Sequence, residues 1–327
     1  MNLTQATQAM QQDYTTLAAE AKKRGLNADL VAKAEYWRDS GWRVYLDFVV
    51  AHVPVCPEGK RVLDLGCGYG LLAPILLGLG ATSYVGVDVL AGLSDARTLF
   101  AGRPVQLVEP EAGYLPVQPQ TIDIAIVNEV VSHIPKAHLP IVYDELWRVL
   151  APGGTLFVSD GNGLHSKSYI HKTLLPLYAA LENGPDGVQV GGPPFPVTVG
   201  RCFLSQRKDM IRAWHPDLEP GTIEYIAKNT AGLHTDYFRQ TVDRFVATGE
   251  LIRRPYERGF VPVVPSTGVV EERGFFPEQI ALELRSRAFA NILADASSAR
   301  LPAPWSEAAQ PSSFPDGNFC VTAMKPL

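Results

Sequence analysis

The stretch Val62-Leu63-Asp64-Leu65-Gly66-Cys67-Gly68-Tyr69-Gly70 passes from an apolar strand pattern into a G-x-G-x-G turn and then into the helical pattern LLAPILLGLG from Leu71. Glycines at such a turn permit positive φ and let a ligand approach the backbone closely. The start of the following helix offers free N–H groups to electronegative ligand atoms. Asp88 stands 18 residues after Gly70, at the end of the next strand pattern, Ser83 to Val87. An acidic side chain there can accept hydrogen bonds from both hydroxyls of a ribose. The two signals together point to a nucleoside. A dinucleotide fingerprint begun at Gly66 would need its third glycine at position 71, which is Leu71, so a pyrophosphate cradle is not supported.

These residues need a sheet to hold them. RVLDLG, TSYVGVDV, PVQLVEP, TIDIAIVNE and GTLFVSDG are short apolar runs bounded by Gly, Pro, Asp or Asn, as buried parallel strands are. Helical patterns alternate with them, most clearly Lys136 to Leu150, stopped by Pro152-Gly153-Gly154. The alternation predicts an α/β fold with a doubly wound, mostly parallel sheet. GNFCVTAMKP, 317 to 326, reads as a last strand returning to that sheet, and FFPEQIALELRSRAFANIL, 275 to 293, as a helix. Upstream, residues 1 to 34 are rich in helix formers. Glu35 to Val53 places Trp42, Tyr45, Leu46 and Val49 at helical spacing.

Between the fifth strand and the last helix the alternation stops. Residues 161 to 270 hold 12 Lys+Arg against 10 Asp+Glu, the Gly/Pro-rich GGPPFPVTVG, and helical patterns near 166 to 182, 204 to 214 and 221 to 247. The expected organisation is an N-terminal helical arm, 1–43; a nucleoside-binding domain, 44–160 and 271–327; and a mainly helical insertion, 161–270. An insertion leaving the sheet at the fifth strand is placed to act as a substrate cap. A homodimer surface is a compatible reading.

The chain has 327 residues and a net charge of −5, so no strong positive field would draw a nucleic acid. Cys56, Cys67, Cys202 and Cys320 are widely spaced, and the start carries no basic segment followed by an apolar one. Both suggest a reducing, cytoplasmic setting. No apolar run reaches the roughly 18 residues of a membrane span.

The sequence resembles the class I S-adenosylmethionine-dependent methyltransferases. VLDLGCGYG, YVGVDV, TIDIAIVNEVVSHIP and ELWRVLAPGGTLFVSD carry the resemblance over residues 61 to 160, and NFCVTAMKP is similar to the family's antiparallel last strand. It implies S-adenosyl-L-methionine as cofactor and a small-molecule acceptor methylated at O, N or C. Asp64 and the backbone of Gly66, Cys67, Gly68 and Gly70 would then surround the methionine moiety, and Asp88 would bind the ribose. Glu111 with Ala112, shortly before Leu115-Pro116, would hold the adenine amino group, with Glu where the family more often has Asp. Asn128 and Glu129 would line the methionine side and the mouth of the substrate pocket.

Methyl transfer to a hydroxyl or ammonium also needs a base. His133 matches a position where many small-molecule members of the family carry His. Asp160, at the end of the fifth strand, and His165 are further candidates. Tyr36, Trp37, Tyr169 and His171 are candidates for the substrate pocket, since a ring face attracts a sulfonium. His165 and His171, six residues apart, do not share a helix face, and no metal site is expected. His234, Tyr237 and Phe238 fall on one helical face, which reads as core. The alternatives are use of the cofactor without net methyl transfer, a nicotinamide-dependent enzyme, or an inactive cofactor-binding partner subunit.

Overall fold

A computed structural model describes residues 3–111, 113–161, 163–190, 197–251, 261–270, 273–295 and 318–327. The chain divides into two compact units. One comprises Met1–Val131, Ala137–Gly161 and Phe276–Leu327, the other Ser132–Lys136 and Asn162–Phe275. The N-terminal helices thus fold with the sheet-bearing unit, and a short piece following the fourth strand goes with the insertion.

The first unit opens with α1 (Leu3–Lys23) and α2 (Ala28–Tyr36), a π-helical turn at Trp37–Gly41, and α3 (Trp42–His52). The helix expected over 35 to 53 is therefore underwound at its start, where the Tyr36 ring lies so close over Gly41 that a Cβ there would come within 2.6 Å of it. Next come β1 (Arg61–Leu65), α4 (Ala73–Gly78), β2 (Ser83–Val87), α5 (Leu93–Leu99), β3 (Val105–Val108), β4 (Ile122–Asn128), α6 (Leu139–Val149) and β5 (Leu150–Asp160). Pro140 in its first turn starts α6 three residues later than the pattern Lys136 to Leu150 suggests.

Beyond the insertion, α12 (Pro277–Ser286) is followed by β8 (Ala290–Asp295) and β9 (Phe319–Met324). The sheet order is β3-β2-β1-β4-β5-β9-β8. β1 to β5 pair in parallel, and β9 runs antiparallel to both β5 and β8. The fold is the doubly wound, mostly parallel sheet with one antiparallel C-terminal strand. The expected helix over 275 to 293 stops at Ser286. Ala288 and Asn291 take positive φ, and the rest pairs with β9 as an edge strand. Tertiary pairing overrides the helical propensity of that segment.

The core beneath the strands joins Leu17, Leu30, Trp42, Val49, Ile75, Tyr84, Phe100 and Phe157. Burial of a side chain of this kind contributes about 1.5–3 kcal/mol. The Tyr14 hydroxyl, buried with them, donates to the Leu71 carbonyl at 2.6 Å, tying α1 to the segment just after the glycine turn.

The second unit holds α7 (Lys167–Tyr169), a π-helical turn at Ile170–Leu174, α8 (Leu175–Asn183), the hairpin strands β6 (Val188–Val190) and β7 (Val197–Val199), α9 (Phe203–Trp214), α10 (Pro220–Asn229) and α11 (Thr235–Thr248). Most of GGPPFPVTVG lies outside the described residues. Ile211, Ile223, Ile226, Phe238 and Val242 make a core. His234, Tyr237 and Phe238 are not one buried face: Phe238 is fully buried, Tyr237 is exposed, and His234 precedes the first turn of α11.

Candidate functional site

The carboxyl ends of β1 and β2 bring the glycine turn and the two aspartates together. Gly66, Gly68 and Gly70 have φ of 76°, 54° and 74°. A Cβ on Gly66 would lie 2.0 Å from Val130 and one on Gly70 2.8 Å from Leu107, whereas a Cβ on Gly68 would meet no protein atom within 4 Å. Gly66 and Gly70 are thus required by packing. Gly68 turns an open face outward, a place for a ligand against bare backbone.

Asp88 holds the turn from the other side. One carboxylate oxygen accepts from the Gly68 amide at 2.7 Å and the other from the Leu90 amide at 3.0 Å. A carboxylate has about four lone-pair sites, so acceptor capacity remains for a pair of ribose hydroxyls. The Gly66 amide donates to the Val87 carbonyl at 2.7 Å, locking the turn to the end of β2. Tyr69, the residue between Gly68 and Gly70, donates from its hydroxyl to Asp29 at 3.0 Å, so α2 helps set the conformation of the turn.

Asp64 is buried on β1 and accepts from the Tyr84 hydroxyl at 2.5 Å. Burial pushes its carboxyl up to about 7, the Tyr84 bond draws it down, and the charge of Asp88 raises it. Cys67 fills the space over Gly86 of β2, where a Cβ would lie 2.7 Å from its sulfur. Burial raises its thiol far above the range of a nucleophile.

At the end of β4, Asn128 accepts from the Ser159 hydroxyl at 2.6 Å. Glu129 has φ of 56°, the left-handed region where a non-glycine residue is strained. Its amide donates to the Ser159 carbonyl at 2.9 Å and its carboxylate accepts from the Gly161 amide at 3.0 Å. Asp160 is fully buried in register with Phe319 of β9. Glu111 is exposed beside a depression of about 270 Å³ shared with Tyr114, Leu115 and Pro116, while Ala112 lies outside the described residues.

Tyr36 is exposed, and Trp37 stacks on Tyr45 with ring centroids 4.4 Å apart. In the sequence, Tyr45 is marked only by its helical spacing. Its hydroxyl is pushed up to about 12 by burial and then by the nearby charges of Glu129, Tyr36 and Asp64, which places it at the same sheet edge. Tyr84 is likewise marked in the sequence only as part of the strand pattern Ser83 to Val87. Period-2 alternation marks buried strand positions but does not distinguish a phenol that serves a neighbour's carboxylate.

The remaining predicted residues belong to the second unit. His133 follows β4 by five residues, and its Nδ1 lies 3.3 Å from the Val270 carbonyl. A carbonyl only accepts, so this contact is a hydrogen bond in the form with the hydrogen on Nδ1. Tyr169 is half-buried at the end of α7, and His165 and His171 are exposed.

Residues 63–158 match a family described as methyltransferase domain. A ubiquinone biosynthesis O-methyltransferase from Neisseria meningitidis is 31% identical over 131 residues, 38% of this chain and 53% of that protein. One from Paraburkholderia xenovorans is 33% identical over 142 residues, 42% of this chain and 58% of that protein. The chain thus spans a little over half the length of these relatives. A solved S-adenosylmethionine-dependent methyltransferase from Methanosarcina mazei is similar over 84% of this chain and 96% of its own, at 17% identity and a TM-score of 0.44. Residues 63–158, which hold the glycine turn and Asp88, are thus similar to a methyltransferase domain.

Proposed function

We propose that the chain methylates an oxygen atom of a small organic acceptor, using S-adenosyl-L-methionine. The observation that carries this reading is the cradle at the end of β1 and β2. Gly68 presents open backbone there, and Asp88 retains acceptor capacity for a ribose beside it. Residues Asp64, Gly66, Cys67, Gly68 and Gly70 surround the methionine moiety, and Glu111 with Ala112 takes the adenine amino group. Asn128 and Glu129 bound the mouth of the pocket.

When bound, the cofactor supplies an electrophilic methyl group on a sulfonium. The chain's own part would be to hold that cofactor at Gly68 and Asp88, to orient an acceptor hydroxyl toward the methyl group, and to take the acceptor's proton on a base. We assign the base to His133 Nε2, the accepting nitrogen in the form whose Nδ1 donates to the Val270 carbonyl. Asp160 and His165 take lesser roles in this reading: one is fully buried and the other exposed.

Oxygen is favoured as acceptor atom by the likeness to ubiquinone biosynthesis O-methyltransferases. The net charge of −5 favours a small molecule over a nucleic acid. Four free cysteines fit a cytoplasmic setting, and no described helix is long and apolar enough to cross a membrane. We assign the insertion, with Tyr169 and His171, to acceptor selection. We assign Tyr36 and Trp37 to the acceptor as well, and a homodimer is tested by light scattering.

The reading is tested by calorimetry with S-adenosylmethionine, S-adenosylhomocysteine and NAD, followed by incubation with methyl-labelled cofactor and fractionated metabolites. Binding of the first two and a labelled, alkali-stable methyl ether are expected. Binding of NAD alone would overturn it, and cofactor binding without any labelled product would favour an inactive partner subunit.

A further inference from the structure

We propose that Glu145 and Arg148 of α6 are positioning residues for the cofactor's purine, acting through the loop that bears Glu111 and setting a preference for adenine over a 6-oxo purine. This rests on the methyltransferase reading above and deepens it at the purine end of the cofactor.

Ile141, Glu145 and Arg148 stand at i, i+4 and i+7 of α6, on one helix face. All of them, and the loop from Glu111 to Val117, belong to the sheet-bearing unit. A Cβ on Gly113 would lie 3.6 Å from the Ile141 side chain. The Leu115 amide donates to Glu145 Oε2 at 2.8 Å, and the Leu115 carbonyl accepts from Arg148 Nη2 at 2.8 Å. Arg148 Nη1 donates to the Val117 carbonyl at 2.9 Å. One ion pair therefore holds both polar backbone groups of Leu115 and the carbonyl of Val117, on either side of Pro116.

The pair is itself rigid. Arg148 Nε and Nη2 donate to the two carboxylate oxygens of Glu145, each at 2.7 Å, a fork that fixes direction as well as distance. Glu145 is buried. Its bonds to Arg148, and then to the Leu115 amide, hold its carboxyl below the usual range although burial raises it.

Tyr114 and Glu111 exchange two backbone hydrogen bonds, at 2.8 and 3.0 Å, so the turn that bears the Glu111 carboxylate is braced directly against Leu115. Glu111, Tyr114, Leu115 and Pro116 line the depression of about 270 Å³. With Leu115 bonded to α6 through both backbone groups, this depression offers a ligand the exposed Glu111 carboxylate and the exposed Tyr114 ring. A carboxylate accepts from the 6-amino group of adenine and repels the 6-oxo group of hypoxanthine, provided that the turn is held in place.

The test is calorimetry of the full chain with S-adenosylhomocysteine and S-inosylhomocysteine, whose purines are adenine and hypoxanthine. Wild type should prefer the first by about tenfold or more. Glu145→Gln, which breaks the fork but keeps an oxygen for the Leu115 amide, should reduce that preference to within about threefold, and Arg148→Lys should fall between. A role confined to stability would leave the ratio of the two affinities unchanged in Glu145→Gln, and that result overturns the proposal, as does a wild type without preference. If Glu145→Gln does not fold, the ratio in Arg148→Lys decides, and an undiminished preference there overturns it. Should neither homocysteine derivative bind, the methyltransferase reading fails, and adenosine against inosine then judges the loop by the same ratios; binding of neither nucleoside overturns the proposal as well.

Discussion

Tyr84 donates its hydroxyl to Asp64 across the boundary of β2 and β1, at 2.5 Å and beneath full burial. The pair sets a pH response. The Asp64 carboxyl sits near 7 in the folded chain against 3.8 unfolded. The folded state therefore holds the extra proton between these values, and stability from this group is full below about 4 and lost as pH rises through 7. The loss is on the order of 4 kcal/mol at most. Asp64→Asn should flatten the fall in unfolding free energy between pH 4 and 7 and exceed wild type in stability at pH 8, read from urea unfolding without cofactor. A parallel fall in both proteins would refute the assignment.

Tyr84→Phe removes the donor but leaves the carboxylate buried. An expected cost of about 1–3 kcal/mol follows at pH 8. It should shrink at pH 5, where Asp64 is protonated. Denaturant midpoints at the two pH values check it, and an equal cost at both would mean that the bond does not serve the charged form.

Gly66 and Gly68 share a left-handed backbone but differ in surroundings. Gly66→Ala drives a methyl into Val130 and should destabilise the fold by more than the roughly 1 kcal/mol expected from φ alone. Gly68→Ala should fold with about that smaller penalty yet bind S-adenosylhomocysteine at least tenfold more weakly, since its methyl enters the cradle. Melting curves and calorimetry on both variants separate the two effects; undiminished affinity in Gly68→Ala would remove the cofactor from that face.

Asp88→Asn keeps an acceptor oxygen for the Gly68 amide but loses the second carboxylate oxygen. The variant should melt within about 1 kcal/mol of wild type and lose ten- to a hundredfold in S-adenosylhomocysteine affinity. Unchanged affinity would take the ribose away from Asp88.

In the second unit, Arg207 is fully buried against Glu182 and also donates to the Ala227 carbonyl. Arg207 Nη1 and Glu182 Oε2 have no partner among the described residues. Glu182→Leu alone should cost about 3–5 kcal/mol by stranding the cation, whereas Glu182→Leu with Arg207→Met should recover most of the loss. A double-mutant cycle on unfolding free energies checks this, and additivity of the two costs would deny the pairing.

The sequence by itself determined the parallel strands between 61 and 160 and the glycine turn. Their signals are local: apolar runs closed by Gly, Asp or Asn, and Asp88 one strand beyond Gly70. The same locality singles out Asp88 as a candidate, and the family resemblance adds Asp64, without the environment of either. What the tertiary structure decided depends on residues far apart in the chain. Ala290–Asp295 became a strand because β9 offered it an edge, although its residues continue a helical pattern. Tyr84 reaches Asp64 only when two strands align, and Tyr45 stacks on Trp37 only once the chain has turned through Trp37–Gly41. Arg273 meets Ile134 across 139 positions, a separation at which no periodicity operates, so the partner of a charge was fixed by folding rather than by spacing.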